Sequence, residues 1–224
     1  MRLTLFANLL LVLSGLLAWS QTSEQPKPTG RIAGRVVDQR GQPLKRISVS
    51  AVLAGSNVQA YMPAAETNDA GQFVIDGLEA GTYDLFGQNE GDDYPNTALS
   101  FYSQEDPTAV NVQDGDAANV KLVLGPPAGV WAGVVIDKVT GKTVVPPHGV
   151  QFTVTRVANP DDSILFAGPA KYRWLIPPDV DVMLEVKAEG YQTWSSLLPL
   201  RFRSGENKNL TIALEAERQG DQDH

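Results

Sequence analysis

The chain has 224 residues, with 18 basic and 26 acidic side chains, a formal net charge of −8 and no cysteine. The negative charge argues against nucleic acid as a partner, because it repels the phosphate backbone. The lack of cysteine excludes disulfides, thiolate metal sites and a lipid-modified cysteine.

The first 20 residues have the pattern of a secretory signal peptide. Arg2 precedes an apolar run at 3–19, and Ala18 and Ser20 are the small residues expected ahead of a cleavage site before Gln21. An uncleaved membrane anchor is the alternative, since a run of about 17 residues is at the lower limit for spanning a bilayer. We expect cleavage between Ser20 and Gln21 and no membrane span afterwards. The mature protein would then be secreted, periplasmic or at the cell surface.

The rest of the chain predicts an all-β fold. Residues 21–30 are polar and contain two prolines, which is typical of an exposed leader. Apolar and polar residues then alternate at 47–53, 83–85 and 120–124, and clusters of Gly, Pro, Asn and Asp separate these runs. After the signal, no stretch has the 3.6-residue apolar period of a helix.

The stretch TNDAGQFVIDGLEAGTY, at 67–83, predicts closely spaced turns and strands. Residues 68–71 are expected to form a hairpin turn in which Gly71 takes a positive φ and Asp69 bonds backbone amides. A short strand at 73–75 and a second turn at 76–77 would follow. The alternative is that Asp69 is a metal ligand or a general base.

Two similar phrases predict two tandem β-sandwiches. IAGRVVDQRGQPL begins at Ile32 and WAGVVIDKVTGKTV begins at Trp131; each has a glycine, an apolar pair followed by Asp, and a second glycine. The first glycines, Gly34 and Gly133, are about 100 residues apart, which suits one sandwich per phrase.

The predicted boundary between the two units is the Gly/Pro-rich linker at 125–129, since prolines cannot donate to a sheet and glycines are rare inside one. The first unit would occupy 31–124 and the second, divergent unit 130–216, with a polar tail at 217–224. A single larger sandwich is the alternative.

The segments GRVVDQRGQPL, TNDAGQF and GLEAGTYDL, in this order, resemble the carboxypeptidase regulatory-like domain, a transthyretin-like β-sandwich. The resemblance covers 31–124, including an aromatic-rich loop before the closing strands. The second unit is a weaker match, since FAGP at 166–169 replaces the Asp-Gly turn and PPD at 177–179 replaces the Gly-rich turn. The resemblance implies a seven-stranded Greek-key sandwich with a binding or structural role. By analogy with starch-binding-like folds, carbohydrate is a candidate ligand.

We expect no catalytic residue and no enzymatic activity. The catalytic relatives of this topology depend on histidines that this chain lacks, since only His148 and His224 are present. His148 follows two prolines and has no nucleophile motif near it, which favours an exposed loop residue over a general base. A hydrolase that uses Asp92 and Asp93 is the weakest alternative.

Two clusters are candidate binding residues. Glu90, Asp92 and Asp93 could hold calcium, which prefers oxygen ligands close in sequence, although they lack the twelve-residue loop spacing. A solvated loop is the alternative, and no other cofactor is expected. Tyr94, Phe101 and Tyr102 are predicted in a long loop and could stack on sugar rings. Ordinary core packing is the alternative for these aromatics.

The sequence therefore predicts a secreted, non-enzymatic binding protein of a bacterial cell envelope. Its partner would be a carbohydrate or an envelope protein. A structural spacer in a cell-surface assembly is the alternative.

Overall fold

The computed structural model describes residues 30–56, 64–103, 106–113 and 117–217. The predicted signal with its cleavage site at Ser20 and Gln21, nearly all of the leader, and the tail from residue 218 lie outside the described residues. Strands and a single 3₁₀ turn at Glu90–Asp92 form the regular structure of this part, which confirms the all-β prediction. None of its helical segments has the length and apolar character needed to cross a bilayer.

The first half contains seven strands in two sheets. They are β1 (Gly30–Val37), β2 (Ser48–Leu53), β3 (Ala64–Glu66), β4 (Gln72–Leu78), β5 (Gly81–Gln88), β6 (Thr108–Val112) and β7 (Ala117–Val123). One sheet has the order β4-β1-β7 and the other has the order β3-β2-β5-β6. β1 runs antiparallel to β4 and parallel to β7.

The second half contains eight strands and also forms two sheets. They are β8 (Gly129–Asp137), β9 (Val150–Arg156), β10 (Ser163–Gly168), β11 (Lys171–Ile176), β12 (Asp181–Ala188), β13 (Trp194–Ser195), β14 (Leu200–Arg201) and β15 (Asn207–Leu214). One sheet has the order β11-β8-β15, with β8 parallel to β15 and antiparallel to β11. The other has the order β10-β9-β12-β13, and β14 also pairs with β12.

Each half is a β-sandwich with its own core, because alternate side chains of both sheets point inward. In the first half, Ile32, Val49 and Phe73 are among the buried residues. In the second half, Trp131 and Phe152 lie at the centre, with their ring centroids 5.6 Å apart in an edge-to-face arrangement. The two tandem sandwiches that the repeated phrases predict are therefore present.

The repeated glycine of the two phrases has the same structural position in both halves. Gly34 pairs with Val120 of the parallel strand β7, and Gly133 pairs with Leu210 of the parallel strand β15. A Cβ atom on Gly34 would lie 2.5 Å from the Val120 carbonyl oxygen, and one on Gly133 would lie 1.9 Å from that of Leu210. Both positions therefore exclude a side chain, because the closing strand passes too near.

The turn at 68–71 forms as predicted, but Asn68 rather than Asp69 shapes it. Gly71 has φ +73°, and Asn68 Oδ1 accepts hydrogen bonds from the amides of Ala70 and Gln72 at 3.0 and 2.9 Å. The Asp69 side chain is exposed, and its carboxylate lies 3.5 Å from the Lys45 ammonium.

The predicted turn at 76–77 is wrong. Asp76 and Gly77 lie within β4, where Gly77 has φ +78° beside a register shift between β1 and β4. An exposed ion pair between Asp76 and Arg31, at 2.7 Å, lies on this part of the sheet. The Asp-Gly pair therefore accommodates an irregularity in the strand and does not end it.

Candidate functional site

The β5–β6 loop, residues 89–107, leaves the first half and contacts the second. Its first part is held locally: Asn89 and Tyr94 form an isolated β-bridge, and Asn89 Oδ1 accepts a hydrogen bond from the Asp92 amide at 3.2 Å. Asp93 has φ +67° and its carbonyl oxygen accepts a hydrogen bond from the Ala128 amide at 2.8 Å. The loop is thereby joined to the segment that leads into β8.

The acidic cluster of this loop contacts arginines. The Asp92 carboxylate lies 2.8 Å from the Arg46 guanidinium, and the Asp93 carboxylate is paired with Arg173 of the second half. The Glu90 carbonyl oxygen also accepts a hydrogen bond from Arg173, at 3.3 Å. Among the residues that the structure describes, no group of three or more His, Asp or Glu side chains is arranged to hold a metal ion. The geometry therefore lends no support to a calcium site at Glu90, Asp92 and Asp93.

A ring that stacks on a sugar has to face solvent, but the Phe101 ring does not. It is 3% exposed and lies in the core of the second half, although its position in the chain belongs to the first. The Arg156 guanidinium lies 5.2 Å from its ring centroid and donates a hydrogen bond to its carbonyl oxygen at 2.8 Å. Phe101 therefore joins the two halves, and its ring is not available to a ligand.

Arg156 is itself held in place by an acidic neighbour. Its Nε lies 2.6 Å from the Asp162 carboxylate, and its side chain is only 13% exposed. The ion pair neutralises the guanidinium, which would otherwise be costly to bury. Arg156 thus reaches Phe101 from β9 as a fixed group.

Tyr102 makes a second contact between the halves. Its hydroxyl donates a hydrogen bond to the Leu175 carbonyl oxygen at 2.9 Å, and its ring packs edge to face on Phe101. Burial raises the pKa of the Tyr102 phenol well above its ordinary value, and the Glu90 carboxylate raises it further. The hydroxyl is therefore a neutral donor throughout the physiological pH range.

A cleft of about 720 Å³ lies beside these contacts. Tyr94 and Tyr102 line it from the β5–β6 loop, and residues of both halves complete its walls, including five prolines: Pro95, Pro107, Pro126, Pro177 and Pro178. Asp106 and Asp179 add carboxylates to the lining. Burial raises the pKa of Tyr94, and the carboxylates of Asp38 and Asp92 add to this effect, so its hydroxyl stays neutral and is also a hydrogen-bond donor. The cleft combines aromatic faces, rigid apolar walls and a few hydrogen-bonding groups.

The structure thus separates the three predicted ligand-binding aromatics. Tyr94 and Tyr102 line the cleft, whereas Phe101 is buried. Sequence reasoning missed Arg156 and Arg173, the two arginines of the second half that contact the loop. Nothing in the local sequence around either arginine indicates such a contact, since each lies in an ordinary alternating strand.

The fold and the junction define this part of the chain as two β-sandwiches with a loop of the first, β5–β6, inserting Phe101 into the core of the second. Residues 31–125 match the model of the carboxypeptidase regulatory-like domain. This match confirms the family predicted from the three segments of the first unit. Domains of this family are non-catalytic. No protein of curated function matches the chain.

Several solved structures share a general likeness with the chain. The TIE protein of Bacillus anthracis is 15% identical over 84% of this chain and 34% of its own length, with a TM-score of 0.35. A streptococcal ancillary pilin is 15% identical over 87% of this chain and 64% of its own, also with a TM-score of 0.35. A DUF3823 family protein of Parabacteroides merdae is 16% identical over 78% and 100%, with a TM-score of 0.33. The chain thus spans about a third of the first protein and under two thirds of the second, and at these TM-scores none of the likenesses carries an argument.

Proposed function

We propose that this chain is a secreted, non-enzymatic binding module of the cell envelope that holds a carbohydrate in the cleft between its two sandwiches. The observation that carries the proposal is the composition of that cleft. Tyr94 and Tyr102 offer the flat apolar faces with polar edges on which sugar rings stack. The carboxylates of Asp106 and Asp179 are suitable acceptors for sugar hydroxyls.

The prolines favour a binding surface that is formed before the ligand arrives. Each proline has a restricted φ, so the walls lose little conformational freedom when a ligand binds. Tyr102 is fixed at both its ring and its hydroxyl. A weakly binding, flexible ligand such as a polysaccharide benefits most from a site of this kind, because only the ligand has to be ordered.

Affinity electrophoresis on gels that contain a neutral polysaccharide, followed by a glycan array, tests the proposal. We expect the wild-type protein to be retarded and its tyrosine fluorescence to change with ligand. Asp106→Asn and Tyr94→Ala should each weaken binding, whereas Leu99→Ala, a change at a 46%-exposed residue of the same loop, should not. Lack of retention on every neutral glycan, or equal binding by Asp106→Asn and wild type, would remove the proposal.

A structural spacer is the second candidate, and the junction between the halves favours it. Phe101, Tyr102 and Asp93 each bond or pack across the junction, which would set a constant angle between the sandwiches. A spacer would be inert to glycans and would retain a protein partner in pull-downs from envelope extracts.

N-terminal sequencing of the exported protein tests the proposed location, and a start at Gln21 is expected.

A further inference from the structure

Arg35 and Lys121 form a basic pair on the outer face of the sheet β4-β1-β7. They are direct partners in the parallel register of β1 and β7, on strands about 4.8 Å apart. Both side chains are exposed, whereas their chain neighbours Val36 and Leu122 point into the core. The two cations are therefore held side by side by the sheet itself.

Within the described residues, neither cation has an acidic partner. Arg31, four positions earlier on the same face of β1, lies opposite Asp76 and pairs with it at 2.7 Å. Arg35 instead lies between Gln72 on one side and Lys121 on the other. Like charges opposite each other on adjacent strands are destabilising. This pair persists although residues 31–124 contain 13 acidic and only 6 basic side chains.

The Arg35 guanidinium is already oriented. Its Nε donates a hydrogen bond to the Ala70 carbonyl oxygen at 2.8 Å, which leaves its two terminal nitrogens available. A guanidinium held in this way can bind a carboxylate through two parallel hydrogen bonds. Lys121, its register partner on β7, supplies a second positive charge in the same groove.

The basic pair lies in an open groove of about 790 Å³. Gln72 and Asn119 contribute exposed amides, which can both donate to and accept from hydroxyl groups. Ala33 and the 45%-exposed Val74, which are partners in the β1–β4 register, add apolar surface beside these amides. Glu66 is the single carboxylate among the described lining residues.

We propose that this groove, which lies on the outer face of the sheet and shares Lys121 with the cleft, binds an acidic polysaccharide through uronate carboxylates placed between Arg35 and Lys121. The carboxylate would relieve the repulsion between the two cations, and the amides would bind the ring hydroxyls. The ligand is expected to be a chain of uronic acids, since the groove is open at the surface and follows the sheet.

Isothermal titration and affinity electrophoresis with polygalacturonate test this inference. Arg35→Gln and Lys121→Gln should each weaken binding roughly tenfold, because each removes a charge-assisted contact. Arg31→Gln is the matched control, since it removes one positive charge from the same face at a residue that already has a partner. It should change binding less than twofold. Thermal melts of all variants check that the fold is retained.

The other outcomes are equally decisive. Equal losses in Arg31→Gln and Arg35→Gln would indicate attraction by general charge and overturn the inference, as would a wild-type protein that ignores polygalacturonate. Equal affinity for inorganic polyphosphate would show a non-selective polyanion surface and also overturn it. Lys121 also lines the cleft, whereas Arg35 does not, so Arg35→Gln is the variant that separates this groove from the neutral-glycan proposal, which is tested on different ligands.

Discussion

Replacement of Phe101 by alanine tests the junction between the two halves most directly. Phe101 is 3% exposed within the core of the second half, and its ring contacts the Arg156 guanidinium. Truncation of a buried phenylalanine costs about 3–5 kcal/mol, since it removes apolar contacts and leaves a cavity. A loss of this size is a large part of the 5–15 kcal/mol that typically stabilises a domain. We therefore expect Phe101→Ala to lower the unfolding free energy of the second half by about 3–5 kcal/mol.

Tryptophan fluorescence during urea denaturation measures this effect in the correct half. Trp131, Trp174 and Trp194 all lie in the second half, and the remaining tryptophan, Trp19, lies in the predicted signal. A change in the first half's loop would thus be read by probes in the second half. Leu99→Ala is the control, because Leu99 is 46% exposed and its truncation should cost less than about 1 kcal/mol. An unchanged tryptophan transition in Phe101→Ala would refute the proposed role of the loop.

Three further predictions concern stability. Arg156→Met should lower the unfolding free energy, measured by urea denaturation, by about 1.5–3 kcal/mol, because it removes the charged hydrogen bond to the Phe101 carbonyl and leaves Asp162 without its cation. A loss below about 0.5 kcal/mol would contradict this prediction. Gly71→Val should lower the melting temperature and cost about 1–3 kcal/mol of unfolding free energy, since Gly71 has φ +73° and a Cβ there would lie 2.6 Å from a backbone oxygen. An unchanged melting temperature would show that a side chain at this position causes no backbone strain. At alkaline pH, the Tyr102 phenol ionises first in the unfolded chain, because its pKa is raised in the folded protein. Its contribution to the free energy of unfolding is therefore fully present below about pH 10 and is lost as the pH rises through the folded-state pKa. Tyr102→Phe should make that fall shallower, by at most about 1.4 kcal/mol per pH unit, and an identical pH profile would show that Tyr102 does not contribute.

Local sequence patterns predicted most of the fold for identifiable reasons. Alternation at 47–53 and 120–124 marks half-buried strands, because one face of each strand meets the core and the other meets water. The turn at 68–71 followed from residues that tolerate positive φ. The turn at 76–77 was mispredicted, because an Asp-Gly pair suits a strand irregularity as well as a turn, and only the pairing with β1 distinguishes them.

The candidate sites were predictable only in part. Tyr94 and Tyr102 were identified from the clustering of aromatics in a loop, but Phe101, from the same cluster, is buried. The ion pairs of Asp92 and Asp93 could not be predicted from local sequence either, because their partners Arg46 and Arg173 are 46 and 80 residues away along the chain. The basic pair of Arg35 and Lys121 also depends on a strand pairing between the two ends of the first half.

The sequence by itself determined the β-sandwich architecture, the duplication marked by Gly34 and Gly133, and the family of the first unit, because these depend on side-chain periodicity and backbone conformation within short segments. Tertiary structure alone decided which loop side chains line the cleft, which join the halves and which described cations lack an acidic partner. The physical reason is that burial and charge pairing arise between segments far apart in the chain, and no local pattern records which segments will meet.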